Sequence, residues 1–199
     1  MQDFYNINII PTILKTFKIN NIIVSGIDDA KLIKVILNHG AEVTQINTDD
    51  DKCIKGNPLE ILPNLEDFDA IFINDDPNWF TVFHELNIIK KMNEVFPLVF
   101  ICNNNFPNKR RDSYLNPEDI PIKFRQEYTA ELSICYNNEK ISIYDGFFHA
   151  SEENTPQNGV LTAIEDFLNE NSHIAIMNIN FIKEISILYP KSQINQKRI

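Results

Sequence analysis

The sequence predicts an α/β fold with a mostly parallel sheet covered by helices on both faces. Two observations carry that prediction. Short apolar runs that end at glycine or at polar residues alternate with helical patterns of ten to fifteen residues, as in βαβ units. The 199 residues, 43% of them hydrophobic, suit one domain with a substantial core, so a single domain over 1–199 is expected.

In chain order, NIIVSG (21–26) reads as a buried strand, and DDAKLIKVILNHG as a helix closed at Gly40. AEVTQIN (41–47) is a second strand, and LEDFDAIFIN (65–74) contains a third. PNWFTVFHELNIIKKM is a helix whose apolar stripe holds Trp79, Val82, Phe83, Leu86 and Ile89, with Asp76 expected as its cap and Pro77 in its first turn. FPLVFIC (96–102) is a fourth strand. The stretch from Asn103 to about Tyr128 breaks the rhythm with Pro107, Pro117, Pro121 and the basic run Lys109-Arg110-Arg111, and reads as a long loop or lid. ELSICY and KISIYD form a hairpin around Asn137-Asn138-Glu139. TPQNGVLTAIEDFLNE (155–170) is a helix with Thr155 as its expected cap, and HIAIMNI and ISILYP are two final strands.

Composition excludes several function classes. A formal net charge of −10 argues against a general nucleic-acid binder. No apolar run approaches the ~20 residues of a membrane span. The segment MQDFYNINIIPTILKTF lacks a basic n-region and carries an acid at position 3, so it reads poorly as a signal peptide. Cys53, Cys102 and Cys135 share no CxxC spacing, which excludes a zinc knuckle or a disulfide framework and makes a reducing cytoplasm the simplest home.

The strings ILPNLEDFDAIFINDDPNWFTVFHEL, FPLVFICNNNFPNKRRDSYLNPEDIPIKFRQEY and ENTPQNGVLTAIEDFL resemble a family of bacterial class I methyltransferases that use S-adenosylmethionine. The resemblance covers roughly residues 9–190. It implies a Rossmann-like sheet ending in an antiparallel strand pair, and a role linked to surface-glycan glycosyltransferases. Carried over position by position, it implies cofactor contacts from Gly26, Asp28, Asp29, Asn47, Asp49 and Asp75. The catalytic edge would hold Asp76, Cys102 and Asn103, and the substrate side Arg110, Arg111, Asp112, Tyr114 and Arg125.

The chain departs from the family where the chemistry lies. The acid expected at the end of the first strand is Val24, and a later glycine is Ala30. The ribose-binding acid is replaced by Asn47-Thr48, with Asp49 and Asp50 just beyond. Relatives read I-D-G-D-H-N-W where this chain reads Ile73-Asn74-Asp75-Asp76-Pro77-Asn78-Trp79, and a His-Asp pair has become Cys102-Asn103. Hard cations want carboxylates and a general base wants a group titrating near neutrality, so no metal site is expected. The expectation is a retained fold with lost or altered S-adenosylmethionine binding, acting as a non-catalytic subunit beside a homologous methyltransferase or a glycosyltransferase. The alternative is an active O-methyltransferase on a sugar or surface glycan, with Asp28, Asp29, Asp49 and Asp76 standing in for the missing groups.

Individual residues also admit plainer roles. Asp76 would cap the helix and Asp75 be solvated, Trp79 would pack, His84 would lie on the surface, and Cys102 would behave as a small hydrophobe. The basic triplet would clamp a sugar phosphate or carboxylate, or else Arg111 would pair with Asp112 or Glu118 to hold the loop down.

Overall fold

The computed structural model describes residues 9–27, 29–47, 51–102, 108–136, 139–143, 145–179 and 185–192. Helix α1 (Ile9–Phe17) precedes β1 (Asn21–Ser25), α2 (Ala30–Asn38), β2 (Glu42–Ile46), the short α3 (Pro58–Ile61), β3 (Ala70–Ile73), α4 (Trp79–Met92) and β4 (Leu98–Ile101). A second group follows: β5 (Ser113–Tyr114), β6 (Tyr128–Thr129), β7 (Leu132–Tyr136), β8 (Glu139–Ile143) and β9 (Phe148–Ala150). Helix α5 (Val160–Glu170), β10 (Ile174–Ile179) and β11 (Ile185–Pro190) come last.

The main sheet has the order β10-β11-β4-β3-β1-β2. β2, β1, β3 and β4 run parallel, while β11 is antiparallel to β4 and β10 to β11. The expected α/β fold and its antiparallel strand pair are both present. Strand alternation sorts side chains to two cores. Ile23, Ile71, Ile73, Val99 and Ile101 face α4 and α5, with Leu86, Ile89, Ile164 and Phe167. Ile22, Val24, Phe72 and Phe100 face α1 and α2, where Phe72 and Phe100 stack with centroids 4.1 Å apart. Each fully buried aromatic or branched side chain contributes roughly 1.5–3 kcal/mol. Burial on both faces is why these strands read as continuous apolar runs rather than as alternating ones.

Both long helices start later than their sequence signals indicate. α4 begins at Trp79, and its cap is Asn78, whose side chain accepts from the Thr81 amide at 2.8 Å. Asp76 is drawn away by the Leu115 amide (2.8 Å) and by Asn78 Nδ2 (2.8 Å). α5 begins at Val160 after Gly159, while Thr155 Oγ1 accepts from Asn158 Nδ2 at 2.7 Å. The described part of the expected lid is not featureless. β5 and β6 pair with β9 in a three-stranded sheet, and Pro117–Asp119 forms a 3-10 turn. The expected hairpin is present as β7 and β8. Asn103 to Pro107 lies outside the described residues.

His84 is half-buried rather than on the surface, set among the rings of Phe80, Phe83 and Phe124. Trp79 stacks on Phe83 at 4.7 Å and donates Nε1–H to Asp166 at 2.7 Å, the packing role expected of it. Among the described residues, no helix is long and apolar enough to cross a membrane.

Candidate functional site

The chain leaves β1 toward β2 on one side and later places β3 on the other, so the strand order switches at β1. Ligands of open α/β sheets bind at the carboxyl ends of the strands at such a point. A cleft of about 690 Å³ opens there, within the size range of small-molecule sites. Gly26 after β1, Asn47 after β2, and Asn74, Asp75 and Asp76 after β3 all line it.

Gly26 is dictated by close approach. Its φ is +65°, and a Cβ would lie 2.7 Å from the carbonyl carbon and oxygen of Asn74. Asn74 Nδ2 donates to the Gly26 carbonyl at 2.9 Å, tying the two loops together. Asn47, at φ +49°, turns its carboxamide on Gly56, donating to its carbonyl at 2.7 Å and accepting from its amide at 3.0 Å. That pair fixes the 56–59 wall of the cleft, and with its other N–H turned on Asp75 the side chain keeps one lone pair free.

The two aspartates are half-buried at the cleft. Burial pushes Asp75 up to about 6, opposed by the neighbouring Ser25, Asn47 and Glu85 side chains. Its Oδ2 is buried without a hydrogen-bond partner among the described residues. Asp76 is pushed up to about 7, chiefly by burial, with the Leu115 amide opposing and the charges of Asp112, Asp119 and Asp75 adding. A carboxyl with that value is a proton acceptor matched to neutral pH.

Other predicted site residues are engaged away from the cleft. Asp29 caps α2, accepting from the amides of Lys31 (2.9 Å) and Leu32 (3.1 Å). Cys102 is buried, its amide continuing the ladder to the Ile73 carbonyl at 3.0 Å. Arg110 grips Glu165 with both guanidinium nitrogens (2.9 and 2.7 Å). Arg111 donates to the Ala150 carbonyl at 2.8 Å and faces Glu153 at 3.6 Å, so neither Asp112 nor Glu118 is its partner. Arg125 pairs with Glu118 at 2.6 Å. Tyr114 is buried, donating to Asp112 Oδ2 at 2.8 Å and accepting from the Gln126 amide at 3.0 Å. Asp28, Asp49 and Asn103 lie outside the described residues.

Asp112 is fully buried, and its Oδ1 accepts from the amides of Trp79 (2.6 Å) and Gly159 (2.7 Å). Burial pushes it up to about 6, against the hydrogen bonds from Gly159, Trp79 and Tyr114. It therefore joins the starts of α4 and α5 beneath the cleft.

Sequence reasoning missed two groups. Glu85 sits on α4 among apolar residues and is buried. Ser113 Oγ lies 2.8 Å from His149 Nδ1, and His149 Nε2 lies 2.9 Å from Asp145. Ser113 and His149 are buried, and Ser113 also bonds Asn108, a residue of the cleft wall, at 2.6 Å. Among the described residues, no group of three or more His, Cys, Asp and Glu side chains could hold a metal ion.

No protein-family model and no curated protein matches the chain. Solved structures do match. A Staphylococcus aureus protein provisionally assigned as a caffeoyl-CoA O-methyltransferase superposes with a TM-score of 0.55 at 13% identity, over 96% of this chain and 85% of that one. The O-methyltransferase TomG of Streptomyces achromogenes, in complex with S-adenosylmethionine, gives 0.53 at 10% identity, over 92% and 78%. An O-methyltransferase of Bacillus cereus, in complex with S-adenosylhomocysteine, gives 0.52 at 11% identity, over 96% and 83%. The chain has the Rossmann-like fold of class I S-adenosylmethionine-dependent methyltransferases.

Proposed function

We propose that the cleft at the strand-order switch binds S-adenosylmethionine and an uncharged, hydroxyl-bearing acceptor, and that Asp76 takes the acceptor's proton. The observation that carries this reading is Asp76 itself. It lines the cleft at the end of β3, is held by the Leu115 amide at 2.8 Å, and is pushed up to about 7.

The residues present suit the cofactor. The cleft has the volume, and Gly26 keeps the backbone bare where β1 ends. Asn47 offers the ribose one lone pair, less than a carboxylate would. When bound, the cofactor supplies the electrophilic methyl group. The chain's own part is to orient the acceptor hydroxyl and hold its proton on a carboxylate oxygen of Asp76.

The acceptor class follows from the lining. Asn47, Asn57, Asn74, Asn108 and Asn116 supply amides, and Phe80 and Phe147 supply apolar faces. No Lys, Arg or His lines the cleft among the described residues, whereas Asp75, Asp76 and Asp119 do. That surface suits a neutral polyhydroxylated sugar, as in a glycan, better than a sugar phosphate, because Arg110, Arg111 and Arg125 are all engaged elsewhere.

A second reading has its own support. With Asn47 turned on Gly56 and Asn74 on Gly26, the two amides nearest the expected cofactor are occupied by backbone. On that reading the chain is a non-catalytic binding or scaffold subunit for a methyltransferase or a glycosyltransferase. Calorimetric titration with S-adenosylmethionine separates the two. Micromolar binding, followed by methyl transfer to neutral sugars that Asp76→Asn abolishes without weakening cofactor binding, is the expected result. No binding at millimolar cofactor overturns it and leaves the scaffold reading, which copurification of a partner then tests.

A further inference from the structure

At the cleft, the lining residue Asp75 joins two side chains that the proposed reaction does not touch. Glu85 is 1% exposed, and neither of its carboxyl oxygens has a hydrogen-bond partner among the described residues. Ser25 Oγ and Asp75 Oδ2 are in the same condition. The three come from different elements, the last residue of β1, the loop after β3 and the second turn of α4, yet Ser25 and Glu85 both lie beside Asp75.

This arrangement cannot be two bare carboxylates. An ion buried without a counter-charge costs several kcal/mol, and a second like charge beside it adds to that cost. The charges that bear on Glu85 are those of Asp75 and Asp76, both of its own sign. The elements packed against α4 bring no relief. α3 carries Glu60, and on α5 Glu165 is held by Arg110 while Asp166 accepts from Trp79 Nε1. On α4 itself, His84 Nδ1 is bonded to the Phe80 carbonyl at 2.7 Å.

One shared proton resolves the problem. A protonated Glu85 donates to Asp75 Oδ2. We propose that Asp75 and Glu85 form a carboxyl dyad sharing one proton at neutral pH, with Glu85 the protonated member. The dyad then presents one negative charge beside Asp76 instead of two, and Glu85 is a positioning residue for that base. Only this last consequence rests on the proposed methyl transfer.

Infrared spectroscopy of the ligand-free protein tests the dyad without any cofactor. The measurement is made at neutral pH on Asp76→Asn, which removes the carboxyl pushed up to about 7, while Asp112, pushed up to about 6, is mostly ionised. A protonated-carboxyl C=O band is expected at that pH. It disappears when Glu85→Gln is added, and it moves in frequency when Asp75→Asn is added, where the proton's acceptor becomes an amide. Absence of the band in Asp76→Asn overturns the dyad, as does a band that survives when Glu85→Gln is added and the protein still folds. Should Glu85→Gln fail to fold, Asp75→Asn decides alone, since an unmoved band there rejects the dyad. Failure of methyl transfer leaves these outcomes unaltered, so the two readings fail separately.

Discussion

Asp112 Oδ1 accepts the backbone N–H of Trp79 at 2.6 Å, so a carboxylate 33 residues downstream in sequence closes the first turn of α4. The same oxygen accepts from Gly159 at 2.7 Å, and the other accepts from Tyr114 at 2.8 Å. A negative charge at two helix starts also suits both macrodipoles. Asp112→Ala leaves three buried donors unpaired, at about 1–3 kcal/mol each. We expect a loss of roughly 3–5 kcal/mol in urea unfolding, with Asp112→Asn costing less because it keeps the amide acceptor. An alanine variant within about 1 kcal/mol of wild type contradicts this role.

Arg110 and Arg111 are neighbours with different weights. Arg110 and Glu165 are 36% and 46% exposed, so their ion pair is screened by solvent. Arg110→Ala is expected to cost less than about 1 kcal/mol, and less still at high salt. Arg111 is 14% exposed and donates to the Ala150 carbonyl at 2.8 Å, so Arg111→Ala costs about 1–2 kcal/mol with little salt dependence. Thermal melts at two ionic strengths measure both. Loss of ligand binding in either variant would restore the anion clamp that the sequence invites.

The sheet was legible because burial on both faces writes unbroken apolar runs, as in IFI before Asn74 and LVFI before Cys102. The cleft's central residues were legible for a related reason: strands alternating with helices put the loops at Gly26, Asn47 and Asp75 on one edge. What failed was whatever depends on distant partners. Asp76, Asn78 and Asp29 are equally good caps in sequence, and the Leu115 amide decides that Asp76 is not one. Strands of two or three residues, such as β5, β6 and β9, carry no period to read. Glu85 looks like any helix-surface acid between His84 and Leu86, and only tertiary packing removes it from water.

Stability should respond to pH in the direction set by the buried carboxyls. Asp75, Asp76 and Asp112 are pushed up to about 6, 7 and 6 from an ordinary value of 3.8, so the folded chain holds more protons than the unfolded chain between those values. Their contribution is full below about pH 4 and is lost as pH rises through 6 and 7. The expected consequence is a melting temperature that falls between about pH 4 and pH 7. Asp76→Asn flattens that slope by an amount of order 2–4 kcal/mol, whatever constant offset its lost bond from Asn78 adds. A profile that rises over the same range, or an identical slope in the variant, rejects the assignment.

Asn47 serves backbone and cleft at once, and three substitutions separate the parts. Its φ of +49° suits glycine, so Asn47→Gly removes the two bonds to Gly56 and the one to Asp75 without backbone strain, and costs about 1–2 kcal/mol. Asn47→Ala adds the left-handed strain of a Cβ, about 1 kcal/mol more. Both free the Gly56–Leu59 wall, and we expect cofactor affinity to fall about tenfold. Asn47→Asp acts oppositely on the two properties. It sets an oxygen against the Gly56 carbonyl now 2.7 Å from Nδ2, so the carboxylate turns from Gly56 toward the cleft. Stability then falls by about 1 kcal/mol while affinity for S-adenosylmethionine rises, because a carboxylate accepts from the ribose hydroxyls better than a half-used amide. Melting curves and calorimetric titration of the three variants measure this, and an Asn47→Asp protein that binds no better than wild type removes Asn47 from the cofactor site.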